Sequence, residues 1–336
     1  MDGFSRRAAL QLGGTLAAGV CAGCLTGAES TDRDKLATAS FFVLGDFASK
    51  VADDATQIDT LVPVGQHGHG WEPGPSIQQA ILDAAAFVYM GEGFQLWADN
   101  VVQNLERDAP ELVVIEARHG ISLLEAGGHD DEKGDHDAEE DGHGDEDNHD
   151  TEDGDHDHAS IDPHFWLDPQ RAAQAVDTIA AGLTIADSAQ AERYRDGATS
   201  YADALAELDS EIEETLSSRT RDTVLVAGHD AFQYLADRYG FEVHALSSLS
   251  PDTEPTPQDV REAQAVIEEH GIEHVLAPVF ESDRAARQLV EETDATDLLP
   301  ITSIPTASEE WMENDWGYID IMREVNLPTL REALGA

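Results

Sequence analysis

Basic residues are scarce in this sequence: the 336-residue chain carries 19 Lys and Arg against 69 Asp and Glu, for a formal net charge of −50, and Lys35, Lys50 and Lys133 are its only lysines. Neutralising phosphates requires Lys and Arg, so nucleic acid is excluded as a partner of the overall surface. Cysteine is nearly absent, with Cys21 and Cys24 alone and both close to the N-terminus; no disulfide or thiolate zinc site is expected inside the folded part. An uncharged stretch of small and apolar residues near the start, Ala8 to Val20, is too short and too rich in Gly and Ala for a spanning helix of about 20 residues. What remains is 41% hydrophobic, with runs such as Val224 to Val226 and Val275 to Val279 dense enough for buried strands, so a mostly globular chain of about two domains is expected. Acid in such excess with so little lysine resembles proteins of organisms that accumulate molar salt, where the Debye length falls to about 3 Å and self-repulsion is screened.

The N-terminus reads as an address. Ser5-Arg6-Arg7 ahead of the uncharged stretch resembles a twin-arginine export signal. Cys21-Ala22-Gly23-Cys24 resembles a lipobox, with Cys21 where leucine is usual. Residues 1–23 are expected to be the signal, Cys24 the lipid-bearing residue that ties the chain to the outer face of the cell membrane, and 24–38 a tether.

From Phe41 onward, short apolar runs alternate with helical patterns, the mark of βα units and parallel sheets. The strands expected are Phe41 to Leu44, Thr60 to Val64, Phe87 to Met90, Leu112 to Ile115, Thr223 to Ala227, Glu242 to Leu246, His274 to Val279 and Leu298 to Ile301. Between the two sets of four, Tyr194, Tyr201, Leu205, Leu208, Ile212 and Leu216 recur at helical spacing. The fold class expected is α/β, with two similar parallel-sheet lobes, 39–187 and 219–336, joined by one long rigid helix, 188–218. Ser76-Ile77-Gln78-Gln79 fits a capping box, while Asp168-Pro169 and Thr256-Pro257 place a cap residue before a first-turn proline.

The N-terminal lobe contains a run, 129–158, in which His129, His136, His143, His149, His156 and His158 lie among sixteen acidic residues. With Ala138 its one apolar residue, the run cannot build a core and is expected to be a mobile loop. Acid alone accounts for the carboxylates but not for six of the chain's 14 histidines, which points to weak binding of a divalent metal.

Three other histidines have distinctive surroundings. His69 lies in a glycine-rich loop after an expected strand, His164 just before a helix, and His229 at the end of Val224-Leu225-Val226-Ala227-Gly228. Ligands of open α/β sheets gather at the carboxyl ends of strands, where His69 and His229 are predicted, and converging neutral imidazoles suit Zn²⁺. Taken singly each fits a loop or capping role, and separations of 95 and 65 residues match no compact zinc motif.

Resemblance narrows the choice. Gly-x-x-x-His-x-Trp-Glu-Pro-x-Pro-Ser (65–76), the acidic His-rich insert, Asp-Pro-His-Phe-Trp-Leu-Asp-Pro (162–169), Gly-His-Asp-Ala-Phe-x-Tyr-Leu-Ala (228–236) and Glu-Pro-Thr-Pro (254–257) follow the order found in the metal-binding receptors of ABC importers, and the chain is similar to the zinc branch. The resemblance implies a metal site in the cleft between lobes, with His69, His164 and His229 as ligands and His67 as an alternate ligand or a partner to the first. A fourth position, often Asp in relatives, falls in Pro300-Ile301-Thr302-Ser303-Ile304-Pro305, which has no carboxylate. It further implies a monomeric extracytoplasmic receptor that captures Zn²⁺ and passes it to a membrane permease driven by an ATPase, with no catalytic residues. Mn²⁺ is the competing ion. A zinc hydrolase using water on three histidines is the alternative from another class, though His-Glu-x-x-His is absent; a surface adhesion protein is a third.

Overall fold

All seven residues of the strand Thr223–His229 are buried. Val224 and Val226 enter one apolar core, while Leu225 and Ala227 enter another on the opposite face, as side-chain alternation in a strand covered on both sides requires. The computed structural model describes residues 36–53, 55–66, 71–126, 161–247, 249 and 255–336. The signal, the tether up to residue 35, His67, His69 and the 129–158 run lie outside the described residues.

The N-terminal lobe is a parallel sheet of order β2-β1-β3-β4, built from β1 (Leu36–Ala39), β2 (Gln57–Thr60), β3 (Ala86–Tyr89) and β4 (Val113–Glu116), with α1 (Phe42–Ala52), α2 (Pro75–Asp83) and α3 (Leu96–Asp108) between them. The C-terminal lobe repeats the plan with order β6-β5-β7-β8. Its strands are β5 (Thr223–His229), β6 (Glu242–Ser247), β7 (His274–Pro278) and β8 (Asp297–Ile301), and its helices α6 (Gln233–Tyr239), α7 (Pro257–His270) and α8 (Arg284–Glu292). The chain ends in α9 (Glu309–Glu313), α10 (Tyr318–Ile321), a π-helical turn Met322–Asn326 and α11 (Leu327–Leu334).

Between the lobes run α4 (Pro169–Ala186), a 3-10 turn over Ser188–Gln190 and α5 (Ala191–Leu216). At 1.5 Å per residue α5 is about 39 Å long. The six residues that announced it, Tyr194 to Leu216, are all buried. The larger core runs without interruption from the N-terminal sheet through α4 and α5 to the face of the C-terminal sheet covered by α6 and α11. Polar ties join the lobes as well: Gly65 N–H donates to Thr306 Oγ1 at 2.8 Å and Leu124 N–H to Tyr234 Oη at 2.9 Å.

Three expectations change. Phe41 to Leu44 is not a strand: α1 starts at Phe42, and its buried Val43, Leu44, Phe47, Ala48 and Val51 follow helical spacing. The first strand is Leu36–Ala39, so the last residues assigned to the tether belong to the sheet. Its Leu-Ala-Thr-Ala sequence has one β-branched residue and gives little strand signal. The second strand is the polar edge segment Gln57–Thr60, after which Leu61 and Val62 are buried as the chain leaves the sheet. The expected capping box at Ser76 does not form, because Pro75 occupies the first turn and the helix begins after Gly74. The other two caps are present: Asp168 Oδ1 accepts from Gln170 N–H at 2.8 Å, and Thr256 and Asp259 complete a capping box.

Candidate metal centre

His164 belongs to the segment that enters α4, where Phe165–Leu167 form a 3-10 turn. Asp162, two residues earlier, turns back on it: its Oδ1 accepts from the His164 backbone N–H at 2.9 Å and lies 2.8 Å from Nδ1. Tyr234 of α6 fixes this segment by donating its hydroxyl to the Asp162 carbonyl at 2.7 Å. Aromatic rings wall the imidazole, Trp166 at 5.2 Å and Phe94 at 6.5 Å between centroids.

His229 ends β5 at the carboxyl edge of the C-terminal sheet. Glu281, in the loop after the neighbouring β7, holds it twice: Oε1 is 2.6 Å from Nδ1, and Oε2 accepts from the backbone N–H at 3.1 Å. An ionised carboxylate accepts, so with Asp162 and Glu281 ionised each imidazole would keep its proton on Nδ1 and leave Nε2 to an ion between the rings.

Those two Nε2 atoms face each other across the lobes at 3.4 Å, with both side chains about 1% exposed. Two nitrogens bound tetrahedrally to one Zn²⁺ at 2.0–2.1 Å are about 3.3 Å apart. The geometry is that of two ligands converging on one ion. Each ring has a carboxylate side chain behind it, Asp162 for His164 and Glu281 for His229, and carboxylates behind metal-binding imidazoles orient the rings and raise their basicity. Burial pushes the Asp162 carboxyl up to about 7, against the pull of the His164 backbone N–H and the His229 ring. Its Oδ2 is buried and has no hydrogen-bond partner among the described residues.

Of the residues expected at the site, the structure brings His164 and His229 together; His67, His69, His129, His136, His143, His149, His156 and His158 fall outside the described residues. Among the described residues no group of three His, Cys, Asp or Glu side chains is placed to hold a metal. Thr302 to Pro305 follow β8, all buried and without a carboxylate. Glu281 escaped the sequence reading. Its one signal was position: it follows the carboxyl end of a strand that pairs with the strand of His229.

Two parallel-sheet lobes joined by a long helix, with one imidazole from each brought together at the junction, are the architecture of a two-lobed receptor. The chain belongs to the family of the zinc-uptake complex component A, periplasmic (ZnuA), whose model matches residues 38–333. It is 30% identical over 310 residues to the high-affinity zinc uptake system protein ZnuA of Bacillus subtilis, covering 92% of this chain and 90% of that one. It is also 30% identical to the zinc-binding lipoprotein AdcA of Streptococcus pneumoniae over 295 residues, spanning about half (54%) of that longer relative. The crystal structure of the metal-dependent lipoprotein YcdH of Bacillus subtilis superposes with a TM-score of 0.71 at 25% identity, covering 90% of this chain and 100% of that one.

Proposed function

We propose that this protein is the extracytoplasmic receptor of a zinc importer, which binds one Zn²⁺ between its lobes and delivers it to a membrane permease driven by an ATPase. Family membership supports a receptor rather than an enzyme. The observation that carries the metal assignment is the 3.4 Å approach of the His164 and His229 Nε2 atoms, each ring oriented by a carboxylate. Imidazole nitrogen favours Zn²⁺ over Mn²⁺, which prefers oxygen. The ligand set proposed is His164 and His229 with His69, and with His67 or water in the remaining position.

The processed chain is a monomer anchored through lipid on Cys24; mass spectrometry of membrane-extracted protein should find the modification there, and Cys24→Ala should release the protein. Its excess acid suits molar salt, so its melting temperature should climb as KCl is raised from 0.1 to 2 M. The deciding experiment is calorimetry of the full chain with Zn²⁺ and with competing Mn²⁺. One tight zinc site that disappears in His69→Ala, His164→Ala and His229→Ala is expected. Tight binding that survives all three substitutions, or that Mn²⁺ displaces at equal concentration, would refute this reading.

A further inference from the structure

Between α10 and α11 the chain widens into the π-helical turn Met322–Asn326, and this places Asn326, fully buried, against the loop that follows β8. Its side-chain amide clamps one residue of that loop from both sides. Thr302 N–H donates to Asn326 Oδ1 at 2.9 Å, and Asn326 Nδ2 donates to the Thr302 carbonyl at 2.9 Å. Thr302 then turns its hydroxyl to accept from Ile304 N–H at 2.9 Å. Ile304 itself is fully buried with φ +56°, a left-handed backbone that a β-branched residue rarely adopts. Such a conformation persists only where the surroundings over-determine it, and both it and π-helical turns gather at functional sites.

The clamped loop leads to the metal centre. Between Thr302 and Ile304 lies Ser303, whose carbonyl accepts from Trp166 Nε1 at 2.7 Å. Trp166 belongs to the 3-10 turn that follows His164, and its ring packs 5.2 Å from the imidazole. The histidine contributed by the N-terminal lobe is thus held from behind by a loop of the C-terminal lobe, and the strain in that loop is held by Asn326. We infer that Asn326 is a positioning residue for metal capture, fixing the strained Thr302–Ile304 loop so that Ser303 and Trp166 keep His164 in register with His229. The inference rests on the receptor reading above.

The test uses the full chain, with Zn²⁺ affinity from competition against a chromogenic chelator and the visible spectrum of the Co²⁺ form. Asn326→Ala is expected to weaken Zn²⁺ binding about tenfold or more, the range found when groups behind metal ligands are lost, and to alter the Co²⁺ bands. Glycine tolerates φ +56° without a clamp, so Ile304→Gly added to Asn326→Ala should restore the affinity while lowering the melting temperature further, because a buried side chain is gone. A merely structural asparagine predicts the opposite, with the two losses of affinity adding. Unchanged zinc binding in Asn326→Ala, or a double variant that binds more weakly still, overturns the proposal. Should Asn326→Ala not fold, Asn326→Asp keeps the acceptor for Thr302 N–H and loses the donor; wild-type affinity in that variant overturns it equally. Failure of wild-type protein to bind zinc through His164 and His229 would instead count against the receptor reading.

Discussion

Glu281 grips His229 at two points, the ring Nδ1 at 2.6 Å and the backbone N–H at 3.1 Å. The first contact sets which ring nitrogen faces His164, and the second fixes where the end of β5 lies. Glu281→Ala removes both and should weaken Zn²⁺ binding by about 10- to 100-fold. Glu281→Gln keeps an oxygen for the ring but turns an amide donor toward the backbone N–H, so an intermediate loss is expected. Zinc titration of the two variants beside wild type checks the order.

Gly228 makes that grip sterically feasible. A Cβ there would lie 2.4 Å from Pro278 Cγ and 2.7 Å from Glu281 Oε2. Neither neighbour can retreat cheaply, since one is a ring fixed in β7 and the other holds His229. Gly228→Ala should therefore cost about 1–3 kcal/mol in stability, as overpacking does, and should also weaken zinc binding by displacing Glu281. Denaturant unfolding and zinc titration of the same variant report the two effects separately.

Glu281 also shows where the sequence stops being informative. His164 and His229 stood out because each is embedded in a motif or at a strand's carboxyl end, and the strands around them are rich in Val, Ile and Leu. Nothing local marks Glu281 among 69 acids. It reaches His229, 52 residues away, only because β7 is inserted beside β5, which is a property of strand order. The same limit applied at β1, where Leu-Ala-Thr-Ala becomes a central strand through its neighbours β2 and β3 rather than through its own propensity. Asn326 is likewise silent in sequence, since its role depends on a π-helical turn that no periodicity announces.

Asp209 ties the long helix to the lobes and gives stability a pH dependence. Burial alone would raise its carboxyl, but hydrogen bonds from Arg238, Gln170 and Tyr239 together hold it below the ordinary range; Arg238 Nε lies at 2.9 Å and Tyr239 Oη at 3.0 Å. A carboxyl lowered on folding contributes stability that is present above its unfolded value, about 3.9, and is lost as the pH falls through the folded value. Asp209→Asn removes the nearest counter-charge of Arg238, which is partly exposed and keeps Asp168 at 4.0 Å, and should cost roughly 1–2 kcal/mol at pH 7. At pH 3 wild type has begun to lose the same contribution, so the gap between the two proteins should narrow. Thermal melts at both values measure it, and a gap that widens on acidification would contradict this account.

The acidic His-rich run can be separated from the tight site. Glu125 and Ile161 form an antiparallel bridge at its base, and deleting 129–158 leaves five residues, Ala126 to Gly128 with Ala159 and Ser160, to join them. Connections of that length close antiparallel pairs readily, so the bridge, and with it Asp162 and His164 just beyond, should keep their places. The deleted chain is expected to retain one tight zinc equivalent and to lose the additional weak ones. Uptake by cells should fall only when zinc is limiting, where a tethered set of histidines raises the local concentration of the ion. Loss of the tight equivalent together with the run would mean that its histidines, rather than His69, complete the site.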